Sequence, residues 1–243
     1  MDDVQEFARQ VARNINGLAN DHEIQRRALD WMMASLPHRY SYNFAWMGLP
    51  IIQYPQDIVA MQEIIWRVRP DLIIETGVAR GGSLVYYASL LELIGHGRVI
   101  GIDIDIRPHN RAAIESHPMA KRIDLVEGSS TSENVLRRVR ALATGCRTGI
   151  VVLDSNHTHD HVLAELRAYA EFVSVGSYCV VMDTIVEDLP ASFFGDRPWS
   201  IGNNPKTAVK EFMKVDTRFE IDSLIPAKLQ ITVAPDGYLC RVR

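Results

Sequence analysis

Three short segments carry the residues that could do chemistry. Asp154-Ser155-Asn156-His157 sets a carboxylate three residues before an imidazole, and Asp183-Thr184 adds a second carboxylate with a hydroxyl beside it. Two carboxylates with hydroxyl or amide neighbours suit a hard divalent cation such as Mg²⁺, which keeps several of its waters. A hydroxyl that replaced those waters would have its pKa lowered, and an imidazole titrating near neutrality could accept its proton. The third segment is Glu75-Thr76-Gly77-Val78-Ala79-Arg80-Gly81-Gly82-Ser83, directly after the apolar run Leu72-Ile73-Ile74. Glycines let a ligand come close to backbone, and a helix starting there offers unpaired N–H groups.

These residues need a scaffold that brings them to one edge. From residue 70 onward apolar runs alternate with helical patterns. The pattern predicts strands at 71–75, 98–103, 122–126, 149–154 and 177–183, and helices at 82–95, 108–118, 131–143 and 158–173. A continuous apolar strand such as Ile150-Val151-Val152-Leu153 implies burial on both faces, as in a parallel sheet. The alternation implies right-handed crossovers and an α/β, Rossmann-like, doubly wound fold. In such a sheet Glu75, Asp103, Glu127, Asp154 and Asp183 all open onto the carboxyl edge, where ligands bind.

The spacing selects among ligands. Asp103 follows Gly77 by 26 residues, a distance at which a carboxylate can accept both ribose hydroxyls. The loop, however, reads Gly77-x-x-x-Gly81-Gly82 rather than G-x-G-x-x-G, and Glu75 would repel a phosphate. A ligand with ribose and adenine but no phosphate fits, and S-adenosylmethionine is one. The donor-binding residues read from this pattern are Glu75, Thr76, Gly77, Ala79, Ser83, Asp103 and Ser129, with Asp154 between donor and metal.

Ile73 to Ser83, Gly101-Ile102-Asp103-Ile104-Asp105, Leu153 to His157 and Asp183-Thr184 together resemble the cephalosporin hydroxylase/rhamnosyl O-methyltransferase family, from about Gly48 to Pro205. The resemblance implies a class I S-adenosylmethionine-dependent O-methyltransferase acting on a sugar or secondary-metabolite hydroxyl. Related macrolide sugar methyltransferases use a divalent cation, an Asp followed three residues later by a His base, and a Glu-Asp pair. Asp154 and His157 match as catalytic residues and Asp183 as a metal ligand beside Asp154, but Met182 stands where the Glu would be. A thioether is a poor Mg²⁺ ligand, so Thr184, Asn156 or water must fill the gap, or the metal is weakly held or lost. Two rival readings follow: an iron oxygenase built from Asp154 and the run His157-x-His159-x-His161, and a non-catalytic accessory subunit that keeps the fold. The simpler reading of His159 and His161 is helix-terminal surface.

The flanks divide the chain into an N-terminal helical and aromatic cap at 1–55 and a methyltransferase domain at 56–243. Residues 2 to 36 read as helical, 37 to 55 as irregular and aromatic, and 56 to 68 as a helix. The tail predicts a helix at 207–215, strand-like runs at 218–224 and 228–233, and a short run at 238–242 that closes an antiparallel hairpin. The loop from Val186 to Pro205, with Phe193, Phe194 and Trp199, has the length of a lid. Glu187 and Asp188 form an acidic pair that could reach inward, and Lys206 and Lys210 share a helix face expected to be solvated.

At 243 residues, 47% hydrophobic and with net charge −4, the chain can bury a large core and carries no global basic field for nucleic acid. It has no apolar stretch of membrane-spanning length and no leader-like start, and its three cysteines make neither a disulfide framework nor a zinc knuckle. A cytoplasmic homo-oligomer acting on a small hydroxylated molecule is expected.

Overall fold

The structure, a computed structural model, describes residues 2–243; Met1 lies outside the described residues. The predicted first helical region is two helices, α1 (Asp3–Asn20) and α2 (His22–Ser35). Asp21 makes the break: its carboxylate accepts from the backbone N–H groups of Glu23 and Ile24 at 3.1 and 3.0 Å, capping α2. A small hairpin follows, β1 (Phe44–Trp46) against β2 (Leu49–Ile51), then α3 (Pro55–Val68) with Pro55 at its first position.

The alternating region folds as its pattern dictates. It runs β3 (Leu72–Thr76), α4 (Gly82–Ile94), β4 (Arg98–Asp103), α5 (Pro108–Glu115), β5 (Ile123–Glu127), α6 (Glu133–Leu142), β6 (Gly149–Leu153), α7 (His159–Tyr169) and β7 (Tyr178–Val181). The tail adds α8 (Pro205–Val215), β8 (Phe219–Ile221), α9 (Leu224–Leu229) and β9 (Tyr238–Arg241). The main sheet has the order β5-β4-β3-β6-β7-β9-β8. The first five strands are parallel, and β9 lies antiparallel between β7 and β8.

Successive strand residues feed opposite faces. Ile73, Val99, Ile150, Val152 and Val180 pack towards α3 and α4. Leu72, Ile74, Ile100, Val151 and Val181 pack with residues of α6, α7 and α8. The strand order reverses between β3 and β6, which opens a crevice at their carboxyl ends.

The run at 228–233 is not a strand. Its first residues end α9, and Gln230 turns at φ 62°. Beyond that the buried Asp57 of α3 captures the segment, accepting from the Thr232 hydroxyl, the Val233 N–H at 3.0 Å and the Tyr238 hydroxyl at 2.9 Å. The closing hairpin therefore pairs 219–221 with 239–241. The cap leans on the segment after β7: Met32 and Tyr54 pack with Ile185, Val186, Leu189 and Phe194.

Candidate active site

The end of β3 enters the crevice as a buried acid. Glu75 is fully buried; its Oε2 accepts from the Ser83 hydroxyl at 2.6 Å and its Oε1 has no partner. Burial, above all, pushes its carboxyl up to about 8, with Ser83 pulling the other way. Thr76 is also buried, with its hydroxyl unpartnered. Gly77 turns the chain at φ 94°, and a Cβ there would sit 2.1 Å from the backbone oxygen of Asp154. The glycine thus sets how closely the β3 loop approaches the β6 loop.

Asp103, at the end of β4, holds this loop. Its Oδ2 accepts the N–H groups of Val78 at 2.8 Å and Ala79 at 3.2 Å, and its Oδ1 that of Asp105 at 3.2 Å. Ala79 sits at φ 46°, with its carbonyl accepting from the Asn110 side chain at 2.8 Å. A carboxylate has about four lone-pair sites, so Oδ1 keeps room for one more donor. Ser129, after β5, has its hydroxyl 3.2 Å from that of Thr131.

On the neighbouring strands, Asp154, His157 and Asp183 come together, with one ligand atom of each within 4.8 Å of the others. The Asp154 N–H donates to the Thr76 carbonyl at 2.9 Å, stitching the two halves of the crevice. Burial first, then the Asp183 charge, holds the Asp154 carboxyl well above the usual carboxylate range. Two carboxylates this close resist ionising together unless a cation lies between them. The two carboxylates fit a hard divalent cation that keeps waters, with the imidazole beside it. Asp183 occupies a left-handed turn at φ 55°, which aims it back towards His157.

Met182 and Thr184 resolve differently from expectation. Met182 is buried and belongs to the apolar cluster beneath the sheet, so the thioether is core rather than a failed ligand. Thr184 is fully buried and its hydroxyl donates to the Pro235 carbonyl. The third member of the cluster is the imidazole of His157.

The other candidate side chains go elsewhere. His159 Nδ1 lies 2.8 Å from the Thr207 hydroxyl and its Nε2 3.3 Å from Glu211. His161 Nε2 is 3.2 Å from the hydroxyls of both Ser130 and Ser155. The three histidines therefore face three different sets of partners and make no shared metal site, and His159 and His161 are held rather than free at the surface. Glu187 accepts from the Gly202 N–H at 2.8 Å and from the Asn204 side chain, bracing the loop before α8. Lys206, expected in solvent, is buried, with its ammonium 2.6 Å from Asp188 and 3.2 Å from Asp236. Trp199 in the same loop places its ring 4.9 Å from that of His157, edge-on at 81°.

Some polar residues of the site gave no motif. Glu165 of α7 is fully buried and accepts from Ser130 at 2.6 Å and Ser155 at 2.7 Å, tying the β5 loop to the β6 loop. Its only signal is an i, i+4 spacing from His161. Gln53 and Tyr87 are also buried, with the Tyr87 hydroxyl beside both the Glu75 carboxylate and the Gln53 carboxamide.

Sheet order, glycine loop and carboxylate–imidazole cluster at the switch point define an α/β enzyme of the class I methyltransferase type. The family model described as Rhamnosyl O-methyltransferase/CmcI matches residues 38–242. The rhamnosyl O-methyltransferases of Mycobacterium tuberculosis and Mycobacterium bovis are 30% identical over 216 residues, 84% of this chain and 83% of theirs. That of Mycobacterium leprae is 28% identical over 215 residues, 84% of this chain and 88% of its own. A solved CmcI structure with Mg and SAM superposes with a TM-score of 0.58 at 21% identity, over 83% of this chain and 78% of that one. An O-methyltransferase from Bacillus cereus with SAH gives 0.50 at 13% identity over 82% of each chain. At these identities the structural likeness concerns the fold. The chain belongs to the Rhamnosyl O-methyltransferase/CmcI family, whose members are S-adenosylmethionine-dependent O-methyltransferases.

Proposed function

We propose that this protein transfers the methyl group of S-adenosylmethionine to a hydroxyl of a glycosyl acceptor, a rhamnosyl-type 6-deoxyhexose first among candidates, with a divalent cation, Mg²⁺ by preference, at Asp154 and Asp183. The observation that carries the reading is the meeting of Asp154, His157 and Asp183 within 4.8 Å beside the glycine loop. The name shared by the mycobacterial relatives supports the sugar as acceptor.

When bound, the sulfonium donor supplies an electrophilic methyl group, and the cation lowers the pKa of the acceptor hydroxyl. The chain's own groups do the rest. Glu75, Thr76, Gly77, Ala79, Ser83, Asp103 and Ser129 line the donor half, with Asp103 accepting a ribose hydroxyl through the free capacity of Oδ1. Asp154 and Asp183 hold the charge that aligns the nucleophilic oxygen. His157 accepts the hydroxyl proton as the methyl group moves, and Asp183, 3.4 Å from its Nε2, orients the imidazole. Trp199 covers the imidazole and offers a ring face to the sugar.

Calorimetric titration with S-adenosylhomocysteine, followed by transfer of a labelled methyl group to a rhamnosyl glycoside with and without Mg²⁺, tests this. Binding together with Mg²⁺-dependent transfer is expected. Binding without transfer to any hydroxylated acceptor would defeat the catalytic reading and return the protein to a binding role.

A further inference from the structure

Asp183 lies in a left-handed turn, at φ 55°. That conformation is unfavourable for a residue with a Cβ, so contacts on either side must impose it. Ahead of the turn, the Val181 N–H donates to the Gly237 carbonyl at 2.8 Å and the Met182 N–H to the Leu153 carbonyl at 3.0 Å. Behind it, the Thr184 hydroxyl donates to the Pro235 carbonyl, and the Ile185 N–H to the Val233 carbonyl at 3.1 Å. Three of these four bonds land on residues 233–237. The turn is gripped by a strap from the far end of the chain.

The strap is in turn fixed by Asp57, a fully buried acid in the first turn of α3. Its Oδ2 accepts from the Val233 N–H at 3.0 Å, and its Oδ1 from the hydroxyls of Thr232 and, at 2.9 Å, Tyr238. Thr232 passes the hold along, since its hydroxyl oxygen accepts the Ala234 N–H at 3.0 Å. At the other end, a Cβ on Gly237 would lie 2.1 Å from the Val181 carbonyl oxygen, so strap and β7 touch backbone to backbone. Val233 joins the two halves: its N–H goes to Asp57 and its carbonyl to Ile185. Two hydrogen bonds through one residue therefore connect Asp57 to the backbone two positions after Asp183.

A carboxylate is a costly way to join a helix to a loop. Burial removes its hydration, and an apolar side chain of similar volume could fill the space at less cost. Apolar contacts tolerate sliding, however, whereas directional hydrogen bonds fix register. A metal ligand needs its position held by the groups behind it. Asp57 has what such a role requires: three donors on its oxygens and a helix N-terminus that favours its charge. We infer that Asp57 is a positioning residue for the cation site, acting through residues 232–237 to hold Asp183 in the turn that aims it at His157 and Asp154. This rests on the cation reading proposed above.

The test measures Mn²⁺ binding to the full chain by electron paramagnetic resonance, and S-adenosylhomocysteine binding by calorimetry. Asp57→Leu removes all three bonds. It should weaken Mn²⁺ at least about tenfold and leave S-adenosylhomocysteine within about twofold. Thr232→Val removes one hydroxyl, should weaken Mn²⁺ about threefold or more, and decides the matter should Asp57→Leu fail to fold. Tyr238→Phe also takes a bond from Asp57 but leaves both of its bonds to the strap. It should hold Mn²⁺ within about twofold even where the thermal midpoint falls. Asp57→Leu added to Asp183→Asn should weaken Mn²⁺ no further than Asp183→Asn alone, because both act on one ligand. Wild-type Mn²⁺ affinity in Asp57→Leu and Thr232→Val, equal weakening of both ligands, a Tyr238→Phe effect as large as theirs, or full additivity with Asp183→Asn overturns the role of Asp57 alone. A wild type that binds no Mn²⁺ overturns the cation reading, and this inference with it.

Discussion

The Nε2 of His157 lies 3.4 Å from the Oδ2 of Asp183, across the gap between the loops that follow β6 and β7. The pair joins two residues 26 positions apart in the chain. In the proposed reaction Asp183 would serve twice, holding the cation with Asp154 and steadying the imidazole that takes the substrate proton.

Replacing His157 with Ala should therefore separate chemistry from donor binding. The turnover number should fall by about 10²–10⁴, while calorimetry shows S-adenosylhomocysteine affinity unchanged. A variant that turns over at the wild-type rate would remove His157 from the reaction.

The double duty of Asp183 gives a second expectation. Chelation should abolish turnover and Mg²⁺ should restore it. In Asp183→Asn the Mg²⁺ concentration for half-maximal rate should rise at least about tenfold, with a lower ceiling because the imidazole also loses its anionic neighbour. A rate indifferent to chelation would rule out the metal role.

Glu75 carries a pH signature in the ligand-free protein. Its folded carboxyl titrates at about 8 against an ordinary 4.5. Between those values the unfolded chain has released the proton and the folded chain still holds it. Stability from this group is thus fully present below about pH 4.5 and is lost as pH rises towards 8. The loss is on the order of a few kcal/mol for so buried a group. Glu75→Gln keeps an acceptor for Ser83 and should flatten the urea-unfolding stability measured between pH 5 and 8. An unchanged slope would mean that the acid is ionised in the fold.

The contact between the β3 and β6 loops can be tested with two glycines of similar backbone angle. Gly77 and Gly95 have φ of 94° and 95°, but a Cβ at Gly77 would meet backbone at 2.1 Å whereas nothing lies within 4 Å at Gly95. Gly95→Ala should cost about 1–2 kcal/mol, the ordinary left-handed penalty. Gly77→Ala adds a backbone collision and should lose more than about 3 kcal/mol or fail to fold. Equal losses in denaturant unfolding would mean that the two loops are free to part.

The sequence alone determined the elements whose signals are local. The buried runs from Leu72 to Val181 were legible as parallel strands because consecutive apolar residues must bury on both faces of a sheet. That pattern, with the glycine loop and Asp103, also pointed to the sheet edge at which Asp154, His157 and Asp183 meet. What required the tertiary structure was the identity of each residue's partner. Lys206 looked like a surface lysine until Asp188 and Asp236 closed on it, and the run at 228–233 looked like a strand until Asp57 took Thr232 and Val233. Met182 read as a missing ligand until its burial placed it in the core. Helix and strand periods are written along the chain, so a sequence displays them. Desolvation and long-range pairing depend on which distant side chain arrives, and only the packed fold decides that.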